Sequence, residues 1–178
     1  MPLDWGREEE FLQSVFLRSH SIHSRRFYWS GLGQFRKFCK EGKFAEVNDK
    51  NVYDVLNAFV RWNDAKGNQP KTIIDYLCAA KRFLLYQDVS IEENRYRSKV
   101  YVPRAMKIED QPLSVETVRR LLSHGKPNRK MLALILTLAS SGMRLAEALN
   151  LRVGDLDLGS SPAKIHIKAE YSKTRRER

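Results

Sequence analysis

The sequence contains little cysteine and no long apolar run, and both absences exclude whole classes of protein. Its two cysteines, Cys39 and Cys78, form neither a CxxC pair nor a His/Cys cluster of zinc-ligand spacing, so we interpret them as buried, reduced thiols and expect no metal site. The longest apolar run, residues 131–139, is far shorter than the roughly 20 residues that span a bilayer. The first residues also lack the pattern of a secretory signal. We therefore expect a cytoplasmic chain with no membrane partner.

Acidic residues are scarce relative to basic ones. The 178 residues include 32 Lys and Arg against 21 Asp and Glu, which gives a net charge of +11. A charge of this size favours a polyanionic partner, and nucleic acid is the simplest one. A soluble protein whose basic face is only solvated has the same composition, so charge by itself does not decide between the two.

The first half of the chain shows the spacing of four amphipathic helices, because apolar residues recur three and four positions apart. Gly31 and Gly33 lie inside the second helix and weaken its prediction, since each glycine costs about 1 kcal/mol in a helix interior. We expect an all-helical domain over residues 1–90. Its helices are predicted to begin near Arg7, after Ser24 as the N-cap, near Asn48 or Asp49, and at Pro70.

Residues 91–111 lack apolar periodicity and carry several basic residues. Pro103 and Pro112 also disfavour helix in this region, so we predict an extended basic linker between two domains. A helical pattern resumes in residues 112–178, the second predicted domain, where Ser114 is a candidate N-cap.

Two further elements are predicted in the second domain. Residues 129–141 are apolar almost all round the helix, which predicts a central buried helix that Gly142 interrupts. Strict alternation over residues 164–168 predicts an edge strand with one buried face.

The stretch from Thr137 to Asp157 resembles the first conserved box of the tyrosine recombinase, or phage integrase, family. That box reads roughly T-G-x-R-x-x-E-x-x-x-L-x-x-x-D-[ILV]-D. Residues 172–178 resemble the lysine-bearing β-hairpin of the family, written K-x-x-x-x-R, with Lys173 and Arg178 in its fixed places. The resemblance is strong for residues 137–178 and looser before them. In the first box the typed positions are filled by Gly142, Arg144, Glu147, Leu151, Asp155 and Asp157.

The resemblance implies a mainly α fold: a four-helix, SAM-like core-binding domain, followed by an incomplete α+β catalytic domain with a small β-hairpin. It implies site-specific DNA recombination or integration, in which strand transfer on duplex DNA passes through a 3′-phosphotyrosine link and needs neither ATP nor any other cofactor. It also implies self-association on DNA, as a tetramer in the family, and no small-molecule substrate. The family's His-x-x-Arg box and nucleophilic tyrosine are expected downstream of the lysine. We therefore expect this chain to be the front part of a recombinase and inactive alone.

The residues of the first box also suit phosphate chemistry by their own nature. A phosphodiester under nucleophilic attack gathers negative charge on its non-bridging oxygens, which a rigidly held guanidinium such as that of Arg144 binds bidentately. Glu147 follows one helical turn later, where it can orient Arg144. Lys173 is predicted to protonate the departing 5′-oxygen. Taken singly, each of these also fits a surface ion pair or a solvated charge run.

The resemblance further implies that the second and fourth helices cross the major groove. Most basic residues there are expected to contact phosphate and to set affinity. Two alternatives stay open: a truncated, non-catalytic DNA-binding protein that occupies recombination sites, and an unrelated helical transcription regulator. The predicted DNA contacts lie on these two helices and in the linker: Arg25, Arg26, Arg36, Lys71, Thr72, Lys81, Arg82, Arg97, Lys99 and Arg104.

Overall fold

The computed structural model of the chain describes residues 3–42, 44, 46–105, 111–125, 127–172 and 176–177. The chain divides into two compact units, residues 1–108 and 109–178. Both are mainly helical, and the second unit adds a short antiparallel pair of strands. Within the described residues, no helix combines the length and the apolar character needed to cross a membrane.

The first unit contains the predicted helices and one that the sequence did not reveal. The second helix begins earlier than predicted, because the Ser21 hydroxyl, and not that of Ser24, caps it by accepting from the Ser24 amide at 3.3 Å. Pro70 begins the fourth helix, as predicted. The described helices of this unit are α1 (Glu8–Ser19), α2 (Ile22–Glu41), α3 (Val52–Ala65), α4 (Pro70–Tyr86) and α5 (Glu93–Lys99).

Aromatic side chains from α2, α3 and α4 form the centre of the first unit. Phe35, Phe59 and Phe83 are fully buried, and the rings of Phe35 and Phe59 meet edge-on with their centroids 5.2 Å apart. Trp5, in a 3-10 turn before α1, stacks on Phe83 at 5.4 Å and covers this end of the core. Each buried side chain of this size contributes about 1.5–3 kcal/mol to folding.

The two glycines of α2 have different surroundings. α2 and α4 cross so closely at Gly31 that a Cβ there would overlap the side chain of Ala79 and lie 3.6 Å from the Cα of Tyr76. A Cβ at Gly33 would meet no described atom within 4 Å. The glycine that weakens the helix prediction at position 31 is therefore required by packing.

The prediction of an extended linker over residues 91–111 is wrong for residues 93–99, which form α5. The helix is docked on the first unit through Asn57 of α3, whose amide donates to the Lys99 carbonyl at 2.8 Å and accepts from the Tyr101 amide at 2.9 Å. Val100 is buried in the core next to this clamp. A helix of two turns is marginal by itself, so these tertiary contacts explain why it forms where propensity predicts none.

Only one of the two cysteines fits the interpretation as a buried thiol. Cys39 is buried, and burial raises the pKa of its thiol to about 12. Cys78 is exposed, so the interpretation is wrong for it. Cys78 follows the buried Leu77 on α4, and one step along a helix turns a side chain by about 100° away from the apolar face.

The second unit contains three described helices with caps that the sequence encodes. The Ser114 hydroxyl accepts from the Thr117 amide at 3.1 Å, which confirms Ser114 as a cap. Gly142 ends the central helix in a left-handed conformation, with a φ of 62°. The elements are α6 (Val115–Gly125), α7 (Arg129–Ser141), α8 (Leu145–Leu149), a 3-10 turn (Val153–Asp155), β1 (Leu156–Asp157) and β2 (Lys164–Ile165).

The strand predicted over residues 164–168 is regular only at Lys164–Ile165, and its partner lies upstream. β2 pairs antiparallel with β1, in the register Leu156 opposite Ile165 and Asp157 opposite Lys164. The His166 amide continues this pairing by donating to the Asp155 carbonyl at 2.8 Å.

The prediction that α7 is a buried central helix is wrong for this unit. All of residues 129–141 are described, and none of their side chains is buried. Met131 and Leu136 are about half exposed. Periodicity reports which side chains of a helix are apolar, whereas burial also requires a neighbouring element to cover them.

The glycine pair in α2 gives a matched test of the packing. We expect Gly31→Ala to destabilise the first unit by about 1–3 kcal/mol, because the added methyl group forces α2 and α4 apart. Gly33→Ala is expected to be neutral or to stabilise the unit by up to about 1 kcal/mol, since alanine favours helix and meets open space. Urea unfolding followed by circular dichroism measures both. Equal effects of the two substitutions would contradict the close crossing.

Candidate functional site

Arg144 and Glu147 form a clamp at the start of α8. Arg144 is the N-cap residue, and its backbone amide donates to Oε2 of Glu147 at 2.8 Å. Its guanidinium donates through Nη1 to Oε1 of the same carboxylate at 3.1 Å. The side chain of Glu147 is only 1% exposed, whereas that of Arg144 is 48% exposed. One buried carboxylate therefore fixes both the backbone and the head group of a half-exposed arginine.

This geometry suits a rigid anion-binding group. Glu147 satisfies only part of the guanidinium, which has five N–H donors and can present the remainder to a ligand. Glu147 keeps the hydrogen bond from the backbone amide of residue 144 when the guanidinium is removed, whereas loss of the Glu147 carboxylate removes both contacts that hold Arg144. The structure brings together two predicted catalytic residues, Arg144 and Glu147, in the arrangement that the spacing suggested.

A second clamp of the same spacing follows α8, and its contacts were not predicted from the sequence. The Arg152 amide donates to Oδ2 of Asp155 at 2.9 Å, and Nζ of Lys168 lies 2.9 Å from Oδ1 of Asp155. Asp155 is buried. The backbone hydrogen bond from Arg152 and the hydrogen bond from Lys168 hold the pKa of the Asp155 carboxyl below its usual range.

The two clamps share a sequence signal, which is an arginine followed three residues later by a carboxylate. A carboxylate at that position can accept from the backbone amide of the first residue, as in half of a capping box. The signal could have indicated the backbone contact of Asp155. It could not have indicated Lys168, because that ion pair depends on the pairing of β1 with β2.

The third predicted catalytic residue, Lys173, lies outside the described residues, as does Arg178 of the predicted hairpin. The role of Lys173 stays a prediction.

The predicted DNA-contact residues all lie in the first unit. α2 carries Arg25, Arg26 and Arg36, α4 carries Lys71, Thr72, Lys81 and Arg82, α5 carries Arg97 and Lys99, and Arg104 follows α5 in irregular chain.

Carboxylates of the same unit hold several of these cations. Lys71 pairs with Asp75 one turn along α4. Arg97 pairs with Glu93 at 3.3 Å, one turn along α5. Three further pairs join different helices: Arg25 to Glu9 at 2.6 Å, Arg36 to Glu8 at 3.0 Å, and Lys81 to Glu93 at 2.6 Å.

The remaining predicted cations are exposed and have no carboxylate within 4 Å in the described part of the chain: Arg26, Arg82, Lys99 and Arg104. Sequence reasoning missed Arg18, which is also exposed and has no such partner among the described residues. Arg18 and Arg82 line one cleft of about 610 Å³ together with Tyr28 and Tyr86. Exposed guanidiniums without an internal partner are the groups best suited to bind an external anion.

The comparisons with known proteins give no relative. Neither the protein-family models, nor the curated proteins, nor the solved structures include a significant match to this chain.

The low pKa of Asp155 predicts a pH dependence of the second clamp. The pKa of Asp155 is lower in the folded chain than in the unfolded chain, so the ionised carboxylate stabilises the folded state. This contribution is complete above the ordinary aspartate pKa of about 3.9 and is lost as the pH falls through the pKa of the folded chain. We expect Asp155→Asn to speed hydrogen exchange of the Arg152 amide several-fold at neutral pH. At strongly acidic pH, where Asp155 itself is protonated, the exchange rates of the Arg152 amide in the variant and in the unsubstituted chain should become similar. NMR measures both rates. A difference that persists unchanged in acid would contradict the assignment.

Proposed function

We propose that this chain binds duplex DNA through its phosphate backbone and belongs to a tyrosine-type site-specific recombinase. Support for DNA binding comes from the net charge of +11 and from Arg26, Arg82 and Arg104, which are exposed and have no carboxylate within 4 Å among the described residues. Cations of this kind neutralise phosphates and release counterions, which favours association with DNA. The helical first unit would then serve as a SAM-like core-binding domain.

The observation that carries the recombinase assignment is the clamp of Arg144 by Glu147. It lies at the typed positions of the family's first box, and its half-exposed guanidinium is held by a buried carboxylate. The non-bridging oxygens of a phosphodiester accept bidentate hydrogen bonds from such a group, and they do so more strongly as negative charge develops in the transition state. The second unit would then belong to an α+β catalytic domain.

The proposed chemistry is a transesterification. A tyrosine hydroxyl gives up its proton as its oxygen bonds to phosphorus, the bond to the 5′-oxygen breaks, and that oxygen takes a proton, so no proton is consumed overall; Lys173 is the candidate donor to the 5′-oxygen. Arg144 stabilises the charge on the non-bridging oxygens, and Glu147 positions Arg144. Because the protein–phosphate link conserves the energy of the phosphodiester, the reaction requires no ATP. Self-association on DNA and a cytoplasmic location belong to the same proposal.

DNA binding is tested on the chain as it is, by fluorescence anisotropy with a labelled duplex at several salt concentrations. We expect the affinity to fall steeply with salt, since each phosphate contact contributes about 0.9 to the slope of log K against log salt. Arg82→Ala is expected to weaken binding roughly three- to tenfold and to reduce the slope by about one contact.

Arg61 provides the matched control. It is an exposed arginine of α3, and no carboxylate of the described residues lies within 4 Å of it. Because α3 carries no predicted contact, Arg61→Ala should remove the same charge with a smaller loss of affinity. Binding that is absent at low salt, or that does not respond to salt, would overturn the proposal.

A further inference from the structure

Two exposed carboxylates hold three of the predicted DNA-contact cations. Oε1 of Glu9 lies 2.6 Å from Nη2 of Arg25. Oε2 of Glu93 lies 2.6 Å from Nζ of Lys81, and its Oε1 lies 3.3 Å from Nε of Arg97. These pairs occupy part of the donors that each cation could otherwise offer to a phosphate.

The exposed fraction of each carboxylate decides whether another anion can replace it in its ion pair. The side chains of Glu9 and Glu93 are 70% and 55% exposed, so their ion pairs are weak and compete with solvent. Glu8, which pairs with Arg36, is only 11% exposed. Taking Arg36 away would leave a buried carboxylate without its partner, which is strongly unfavourable. The pair of Arg36 with Glu8 is therefore structural, and we do not expect a phosphate to displace Glu8 from Arg36.

The contact of Arg25 with Glu9 leaves part of the guanidinium unsatisfied. Its Nε is buried and has no hydrogen-bond acceptor among the described residues. Because Nε is buried, an incoming phosphate would bind Arg25 through its Nη atoms, of which Glu9 now contacts only Nη2. The exposed, displaceable carboxylate on this donor points to an anion as the ligand that replaces it.

Lys81 is enclosed by the first turn of α5. Its ammonium contacts Glu93 and lies 3.9 Å from the ring centroid of Tyr96, and the side chain is 20% exposed. The hydrogen bond from Lys81 lowers the pKa of the Glu93 carboxyl below its usual range. Glu93 is therefore ionised at neutral pH and holds Lys81 and Arg97 in the absence of another anion.

We propose that Glu9 and Glu93 occupy, in the DNA-free chain, the positions that DNA phosphates take on Arg25, Lys81 and Arg97 when a duplex binds. This inference rests on the proposed DNA-binding function and names two residues that set its affinity. Binding then exchanges each carboxylate for a phosphate, so these contacts add to affinity only where a phosphate lies in the correct place. The exchange penalises polyanions of the wrong geometry and thereby contributes to specificity.

Each of the two carboxylates has a matched neighbour in the same helix region. Glu10 follows Glu9 and lies 3.5 Å from Arg7, and Glu92 precedes Glu93 and lies 3.0 Å from Arg95. Neither Arg7 nor Arg95 is a predicted DNA contact. Substitution by glutamine removes one negative charge in every case, so general electrostatic attraction to DNA rises equally within each pair of variants.

The test compares duplex affinity of Glu9→Gln with Glu10→Gln, and of Glu93→Gln with Glu92→Gln, by fluorescence anisotropy at one salt concentration. We expect the first variant of each pair to bind about two- to fivefold more tightly than its neighbour, which is the range of a released surface ion pair. Thermal unfolding confirms that all four variants are folded, as their exposed positions predict.

A double-mutant cycle separates exchange from any other effect of the substitutions. In an Arg25→Met background the advantage of Glu9→Gln over Glu10→Gln should disappear, and in a Lys81→Met background that of Glu93→Gln should shrink. Equal affinities within both pairs, or advantages that persist without Arg25 and Lys81, would overturn the exchange. A chain that binds no duplex at low salt would instead overturn the proposed function itself.

Discussion

The pairing of carboxylates with basic side chains determines which positive charges of this chain remain available to a polyanion. In the second unit the buried carboxylate of Glu147 holds Arg144, and that of Asp155 holds Lys168. In the first unit the carboxylates differ in burial, and the ion pair of the buried Glu8 is harder to break than that of the exposed Glu9. The net charge of +11 is therefore not equally available over the surface, because some cations are paired with carboxylates of the chain and others are not.

Apolar packing places these charges where they are. The crossing of α2 and α4 at Gly31 brings the two helices with most of the predicted contacts together, and each of them buries a phenylalanine, Phe35 on α2 and Phe83 on α4. α5 is docked against α3 by Asn57, which sets the position of Glu93 relative to Lys81. Core and surface are thus coupled, since the internal ion pairs exist only while the helices pack in this way.

The sequence was most informative where local spacing determines the structure. The helices α1 to α4 follow from apolar periodicity, and the contact between Arg144 and Glu147 follows from three-residue spacing. What it missed depends on contacts between distant residues. Examples are α5, which needs Asn57, and the pair of Lys168 with Asp155, which needs the two strands. The prediction for α7 failed because the apolar residues of a helix do not show whether another element packs against them.

The most direct measurement of the central claim is strand cleavage on a nicked duplex that traps a covalent intermediate, made with a complete tyrosine recombinase that carries this segment. If Arg144 acts on the transition state, Arg144→Ala should abolish or severely slow cleavage and leave DNA affinity within a few-fold. Arg152→Ala is the matched control, because it keeps the backbone hydrogen bond to Asp155 and should cleave normally. Near-normal cleavage by Arg144→Ala, or DNA binding by the unsubstituted protein without any cleavage, would contradict the account.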